Sequence, residues 1–175
     1  RAWAKVDPTS REALAARYRY DAFGGDDDRS PPIAKGTPAE AEAVELGLLT
    51  WPQARDRLAR MDLALLPVGA TEQHGPHLTL DTDAYDAHRL ALDVANACTA
   101  PRPLVLPLIP YGVSYHHDDF AGTLSVSPDT LAQMVHDVGM AAAHNGIRKL
   151  VIINGHGGNI PALHFAAQLI NRDAR

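Results

Sequence analysis

The apolar stretch LALLPV, residues 63–68, decides the fold of this 175-residue chain. It is short and continuously apolar and ends at Gly69, which is the pattern of a strand buried on both faces of a parallel sheet. The run LVII at residues 150–153 has the same pattern. A third candidate, residues 104–109, contains a proline, which indicates a short or edge strand. These three runs predict a small, mostly parallel sheet.

Helical segments alternate with the three strand candidates. Thr50 as N-cap with Pro52 in the first turn begins a helix that reaches about residue 60. Asp83 stands at the start of a second helix, Ser127 caps a third, and Asn159 begins the last. The third helix carries an apolar stripe of Leu131, Met134, Val135 and Val138. Strands that alternate with helices predict a three-layer α/β/α fold.

Residues 1–49 differ from the rest of the chain. The segment GGDDDRSPP at residues 24–32 combines residues that break regular structure. We expect residues 1–49 to form an N-terminal extension or arm that packs on the body or on a neighbouring subunit. A loosely ordered extension is the alternative. Residues 50–175 then form the α/β domain.

Composition and charge exclude some classes of protein. The net charge of −5 and the pI near 5.9 argue against a nucleic-acid-binding protein, which is usually basic. No apolar run approaches the ~20 residues that a membrane helix needs. The single cysteine, Cys98, is expected to be a buried thiol in a reducing compartment. The sequence therefore predicts a cytoplasmic protein without a membrane or nucleic-acid partner.

Carboxylate and imidazole side chains follow two of the strand candidates. Glu72 and His74 lie in the loop after the first, and His156 lies in a glycine-rich loop after residues 150–153. The carboxyl ends of parallel strands meet at one edge of a sheet, where functional residues gather. Asp83 begins the next helix, and its two oxygens could bridge two ions ~3.5–4 Å apart. Taken singly, each signal is weak, because a lone histidine is more often a core or surface residue. Together they predict a divalent-metal site.

Several longer motifs carry a specific resemblance. They are PVGATEQHGPHL at residues 67–78, the Thr82-Asp83 pair, YGVS at residues 111–114, FAGTLS at residues 120–125 and NGHGGN at residues 154–159. Over about residues 49–175 they resemble the signature motifs of the creatininase (creatinine amidohydrolase) family. The resemblance implies an α/β fold, two metal ions, hydrolysis of cyclic or linear amides, and an oligomer that is often a hexamer.

The resemblance also implies roles for individual residues. Glu72, Asp83 and His156 match the ligands of one metal ion, and His74 with the bridging Asp83 matches those of the second. Zinc is the first expectation for both ions, with manganese and iron as alternatives. His117 matches a histidine at the mouth of the family's active site, where it is expected to contact the substrate.

Gly158 departs from the pattern of creatininase itself, which has a glutamate there as a further ligand. Relatives with this glycine take the carboxylate from a later segment, which also brings a histidine for proton transfer. This sequence stops before such a segment. The resemblance therefore implies that a second polypeptide or a missing C-terminal segment supplies both residues, with an inactive fragment as the alternative.

The leading functional hypothesis is an amidohydrolase subunit in which a metal-activated water attacks the C–N bond of a small amide. One alternative is a non-catalytic metal-binding or scaffolding homologue. Another is a peptidase or deformylase that uses the same site. His116, beside His117, is expected to be either part of a polar lid over the site or a residue of a solvated loop.

Overall fold

A computed structural model of the protein describes residues 43–174. Most of the predicted arm, residues 1–42, lies outside this range. Within the described residues the regular elements are α1 (Trp51–Leu58), β1 (Leu63–Val68), α2 (Thr82–Ala97), β2 (Leu104–Val105), α3 (Pro128–His144), β3 (Lys149–Asn154) and α4 (Ile160–Asp173). Short 3-10 turns lie at Leu46–Leu48, Tyr115–His117 and Gly157–Asn159.

The three strands form one parallel sheet in the order β2-β1-β3. The apolar run at residues 63–68 is thus the central strand, in which Ala64 lies opposite Leu104 on one side and Leu150 on the other. Strand β2 is only two residues long, and its pairing with β1 continues as a single bridge between Val68 and Ile109. The predicted short edge strand is confirmed.

Alternate residues of the sheet face two different helical layers. Ala64, Leu66 and Val68 belong to a core cluster that includes residues of α3 and α4, whereas Leu65 packs with Ala91 and Ala95 of α2. The buried positions of α2 other than Asp83 are all alanines, so this helix can lie close to the sheet. The predicted three-layer α/β/α fold is confirmed.

The end of the predicted arm contacts the sheet. The Val105 N–H donates to the Val44 carbonyl oxygen at 2.8 Å, and the Val44 side chain is buried. Glu45 also lies 3.4 Å from His88 of α2 through its carboxylate. Among residues 43–174, no helix is long and apolar enough to cross a membrane.

Two predictions about side-chain burial are wrong. Met134 is 46% exposed, although Leu131 and Val135 of the same predicted stripe are buried. The buried face of α3 is narrower than the predicted stripe. This face meets α4 and runs through Gly139, where the backbone lies against the Ile170 side chain. Cys98 is exposed, because it lies just after the last residue of α2.

The central position of Leu66 gives a test of the core. Leu66 is fully buried, so Leu66→Ala should lower the free energy of unfolding by about 2–5 kcal/mol. Leu90→Ala makes the same change at a residue of α2 that is 54% exposed, and it should shift stability by less than about 0.5 kcal/mol. Urea unfolding of both variants measures the difference. Equal losses would contradict the assigned core.

Candidate metal centre

The loops after β1 and β3 meet the first turn of α2 at one edge of the sheet. Glycines at the contact points permit this approach. A Cβ atom on Gly69 would lie 2.3 Å from Ala84 Cα, and one on Gly155 would lie 2.2 Å from the Asp83 carbonyl oxygen. Any side chain at these two positions would push α2 away from the loops. The backbone contacts therefore bring Asp83 beside the residues that follow both strands.

All four predicted ligands come together at this edge. His74 Nε2 lies 3.0 Å from Asp83 Oδ1, and His156 Nδ1 lies 2.8 Å from Asp83 Oδ2. Glu72 Oε1 lies 3.3 Å from His156 Nδ1 and 4.0 Å from His74 Nε2. Glu72, Asp83 and His156 are buried, and His74 is partly exposed. The Asp83 carboxylate thus stands between the two imidazoles.

Backbone carbonyls decide which nitrogen of each imidazole faces the carboxylates. His156 Nε2 lies 2.9 Å from the Val113 carbonyl oxygen, and His74 Nδ1 lies 3.2 Å from the Glu72 carbonyl oxygen. A carbonyl oxygen only accepts hydrogen bonds, so these two nitrogens carry the hydrogen in the neutral rings. The remaining nitrogens, His156 Nδ1 and His74 Nε2, then present lone pairs to the carboxylates, as metal-binding histidines do.

The resulting set of atoms fits a divalent cation. Glu72 Oε2 and Asp83 Oδ2 are buried and have no hydrogen-bond partner in the described part of the chain. Lone pairs that converge without a donor are unfavourable unless a proton or a cation lies between them. A tetrahedron with metal–ligand distances of ~2.1 Å has edges of about 3.4 Å. The separations around Asp83 and Glu72 are close to this length.

The pKa shifts at the site agree with this interpretation. Burial raises the pKa of the Glu72 carboxyl, but the Ser114 hydroxyl and the nearby His156 and His117 together bring it below its ordinary value. Burial lowers the pKa of His74, but the Glu72 carbonyl and the Asp83 carboxylate together bring it above its ordinary value. The surroundings therefore favour an ionised Glu72 carboxylate and a positive charge at His74.

Two more histidines lie on the Tyr115–His117 turn. His117 Nδ1 lies 3.2 Å from Glu72 Oε2, and its ring meets Phe120 edge-on at 5.9 Å between centroids. His117 is therefore placed against a predicted ligand, and its contact with substrate stays a prediction. His116 lies on the solvent side, with its ring parallel to that of His156.

Asn159 has a structural role in the site. From the sequence, it was predicted only to begin the last helix. It is fully buried. Its Nδ2 donates to the Gly69 carbonyl oxygen at 2.9 Å, and its Oδ1 accepts from the Val113 N–H at 2.9 Å. One amide thus joins three loops of the site. Its place at the end of the NGHGGN motif was the available signal, since a buried amide commonly ties loops together.

The presence of glycine at position 158 has a steric explanation that the sequence did not reveal. A Cβ atom here would lie 2.1 Å from the Val113 carbonyl oxygen and 2.6 Å from His156 Nε2. These two atoms form the hydrogen bond that orients His156. The glycine at this position is therefore needed for the close approach of the backbone.

Comparison with known proteins shows which family the chain resembles. The family model described as Creatininase, creatinine amidohydrolase, matches residues 47–175. The chain belongs to the creatininase family. Within this family, the chain is 41% identical over 122 residues to a mycofactocin precursor peptide peptidase from Mycobacterium tuberculosis. That match covers 63% of this chain and 47% of the relative.

Other relatives differ in the activities for which they are named. A creatinine amidohydrolase from Pseudomonas putida is 36% identical over 141 residues, which are 77% of this chain and 53% of the relative. A 3-dehydro-scyllo-inosose hydrolase from Thermotoga maritima is 34% identical over 126 residues, which are 69% of this chain and 39% of the relative. The chain spans about half the length of the curated relatives it matches, or less.

Solved structures of creatininase share the fold. A tryptophan-to-alanine variant superposes with a TM-score of 0.68 at 34% identity, over 75% of this chain and 52% of that one. A structure described as creatininase Mn gives a TM-score of 0.63 at 33% identity, over 75% and 52%. A variant described as Zn-Zn type gives 0.65 at 33% identity, over 76% and 53%. Their descriptions thus name manganese in one creatininase and two zinc ions in another.

The glycine pair of the last loop gives a matched test of the Val113–His156 hydrogen bond. Gly158→Ala should displace the Val113 carbonyl, lower the unfolding free energy by about 1–3 kcal/mol, and weaken Zn²⁺ binding about tenfold or more. Gly157→Ala is the control, because a Cβ atom there would have no neighbour within 4 Å. Urea unfolding and calorimetric Zn²⁺ titration measure both effects. The same behaviour in the two variants would contradict the assigned role of Gly158.

Proposed function

We propose that this chain forms the metal-binding part of a hydrolase that cleaves the C–N bond of an amide with two divalent ions. The observation that carries the proposal is the Asp83 carboxylate, whose two oxygens face different imidazoles at 3.0 Å and 2.8 Å. A carboxylate in this position can serve two ions at once. Membership of the creatininase family and relatives named as hydrolases support the same conclusion.

The proposed ligands divide between two ions. Glu72, Asp83 and His156 hold the first, and His74 with Asp83 holds the second. Zinc is the preferred metal, because carboxylate and imidazole ligands suit it, and manganese or iron are alternatives. When bound, such a pair polarises an amide carbonyl and lowers the pKa of a water molecule.

The other residues of the site hold these ligands ready. The carbonyls of Val113 and Glu72 fix the two imidazoles, and Ser114 helps to keep the Glu72 carboxylate ionised. Asn159 holds the Val113 segment in place through its backbone N–H. Such preorganisation matters because a ligand that is already oriented loses little conformational entropy when the cation binds. We assign His117 to the mouth of the site, where its partly exposed ring is within reach of a substrate.

The second ion needs more ligands than His74 and Asp83. We propose that a further carboxylate and a proton-transfer histidine come from another segment, either on a second polypeptide or in a C-terminal portion of the same protein. The expected assembly is a homo- or hetero-oligomer, with a hexamer as the first expectation. Gly158 supports this, because it offers no side chain where creatininase itself has a ligand. The proposed location is the cytoplasm. An intact mass spectrum of the purified assembly tests whether a second polypeptide is present.

A peptide substrate is the second candidate. Its support is the relative named as a mycofactocin precursor peptide peptidase, at 41% identity. A relative from Methanobrevibacter smithii is named as a deformylase and is 34% identical over 94 residues. Both activities would use the same metal centre and would differ in the pocket. A non-catalytic scaffold is the remaining alternative, and metal content with activity distinguishes it.

Asp83 provides the test of the shared carboxylate. The purified protein should contain about two ions per site, and Asp83→Ala should lose both, because the carboxylate contributes to each. Asp86→Ala is the control, since Asp86 is an exposed residue of the same helix. Elemental analysis after dialysis measures the metal content. Retention of one ion in Asp83→Ala would contradict the bridging role.

Hydrolysis by the purified assembly tests the activity. We expect ring opening of creatinine, or cleavage of a short peptide or a formamide into an amine and a carboxylate. Activity should be lost with a chelator and recovered with Zn²⁺, Mn²⁺ or Fe²⁺. An assembly that contains two ions and cleaves none of the three would favour the scaffold instead. Full activity of a preparation shown by mass to contain this chain alone would contradict the need for a second polypeptide.

A further inference from the structure

His116 is a potential metal ligand outside the four already assigned. It lies on the Tyr115–His117 turn, and its side chain is 55% exposed. Its Nε2 lies 3.7 Å from Glu72 Oε2. Its ring is stacked on that of His156, with 5.7 Å between centroids and 4° between planes. His116 therefore covers the solvent side of the carboxylate that Asp83, His74 and His156 approach from within.

The contact between His116 and Glu72 is significant because of the surroundings of Glu72 Oε2. The Glu72 residue is only 4% exposed, and this oxygen makes no hydrogen bond within residues 43–174, although His117 Nδ1 lies 3.2 Å from it. A buried carboxylate oxygen without a donor is costly. One donor atom each from Glu72, His116 and His156 lies within 4.8 Å of the other two. A buried oxygen without a hydrogen bond thus faces His116 and His117, and the rings of His116 and His156 converge on the same carboxylate.

We propose that His116 is a ligand in this protein and gives its Nε2 to the metal ion that Glu72 and His156 hold. The inference rests on the proposed metal centre and adds a nitrogen ligand to it. The 3.7 Å separation between His116 Nε2 and Glu72 Oε2 is slightly longer than the ~3.4 Å edge of a zinc tetrahedron. The half-exposed side chain has the freedom to close this gap.

The additional imidazole changes which metals the site prefers. Carboxylate oxygens alone suit Mg²⁺, Ca²⁺ and Mn²⁺, whereas imidazole nitrogens suit zinc, cobalt and related ions. With His116 and His156 on one ion, that position becomes richer in nitrogen than the position of His74. We therefore expect the ion at Glu72 to be the more tightly bound member of the pair when the metal is Zn²⁺ or Co²⁺.

A cysteine substitution distinguishes a ligand from a neighbour. In His116→Cys, a thiolate replaces the imidazole, and a thiolate that binds Co²⁺ gives a charge-transfer band in the near ultraviolet. Two controls are available: the unsubstituted protein, which keeps the exposed Cys98, and His144→Cys, which changes an exposed histidine of α3. We expect the band only in His116→Cys. Bound Co²⁺ without this band would overturn the inference.

An affinity measurement completes the test. Calorimetric titration with Co²⁺ should show that His116→Ala weakens the tighter site by more than about 100-fold, a larger loss than the ~10–100-fold that follows removal of a residue that only orients a ligand. His144→Ala should bind as the unsubstituted protein does. Unchanged affinity in His116→Ala would overturn the role of His116 and leave the proposed function standing. Failure of the unsubstituted protein to bind Co²⁺ or Zn²⁺ would overturn both.

Discussion

The hydrogen bond between the Val113 carbonyl and His156 Nε2 is the constraint on which the metal centre depends. It places the hydrogen of the neutral imidazole on Nε2, so that Nδ1 presents a lone pair to Glu72 and Asp83. Without it, the same ring could donate to a carboxylate and satisfy that charge with a proton. With the hydrogen on Nε2, the Nδ1 lone pair and the carboxylates of Glu72 and Asp83 face one another without a hydrogen between them. A bound cation would stabilise this arrangement. His74 repeats the arrangement with the Glu72 carbonyl, so in the neutral ring its Nε2 also faces Asp83 as an acceptor.

The surrounding fold is arranged to keep this bond in place. Asn159 holds the Val113 N–H and the Gly69 carbonyl with one buried amide, and Gly158 leaves room for the Val113 carbonyl beside the imidazole. Gly69 and Gly155 let the start of α2 approach both loops. These residues carry no chemistry of their own. They are needed because the ligands come from three separate segments, and an error of about 1 Å in any segment would spoil the geometry.

Family membership and site geometry support the proposed hydrolysis in different ways. The family model and the solved creatininases identify the fold and the relatives, and those relatives are named for several substrates. The site geometry concerns only the proposed metal centre, which hydrolases with different substrates can share. In the proposed function, substrate choice depends on the residues around the metal centre, among which His116 and His117 lie beside Glu72.

The sequence by itself determined the elements and the candidate ligands that follow them. Continuous apolar runs predicted the strands, and their alternation with helices predicted three layers, because burial on both faces leaves a local signal in composition. Glu72, His74, Asp83 and His156 were predicted because the carboxyl ends of parallel strands must meet. Only the tertiary structure decided the exposure of Met134 and Cys98, the need for a glycine at 158, the role of Asn159 and the approach of His116 to Glu72. These features depend on contacts between residues far apart in the chain, and local pattern does not encode such distances.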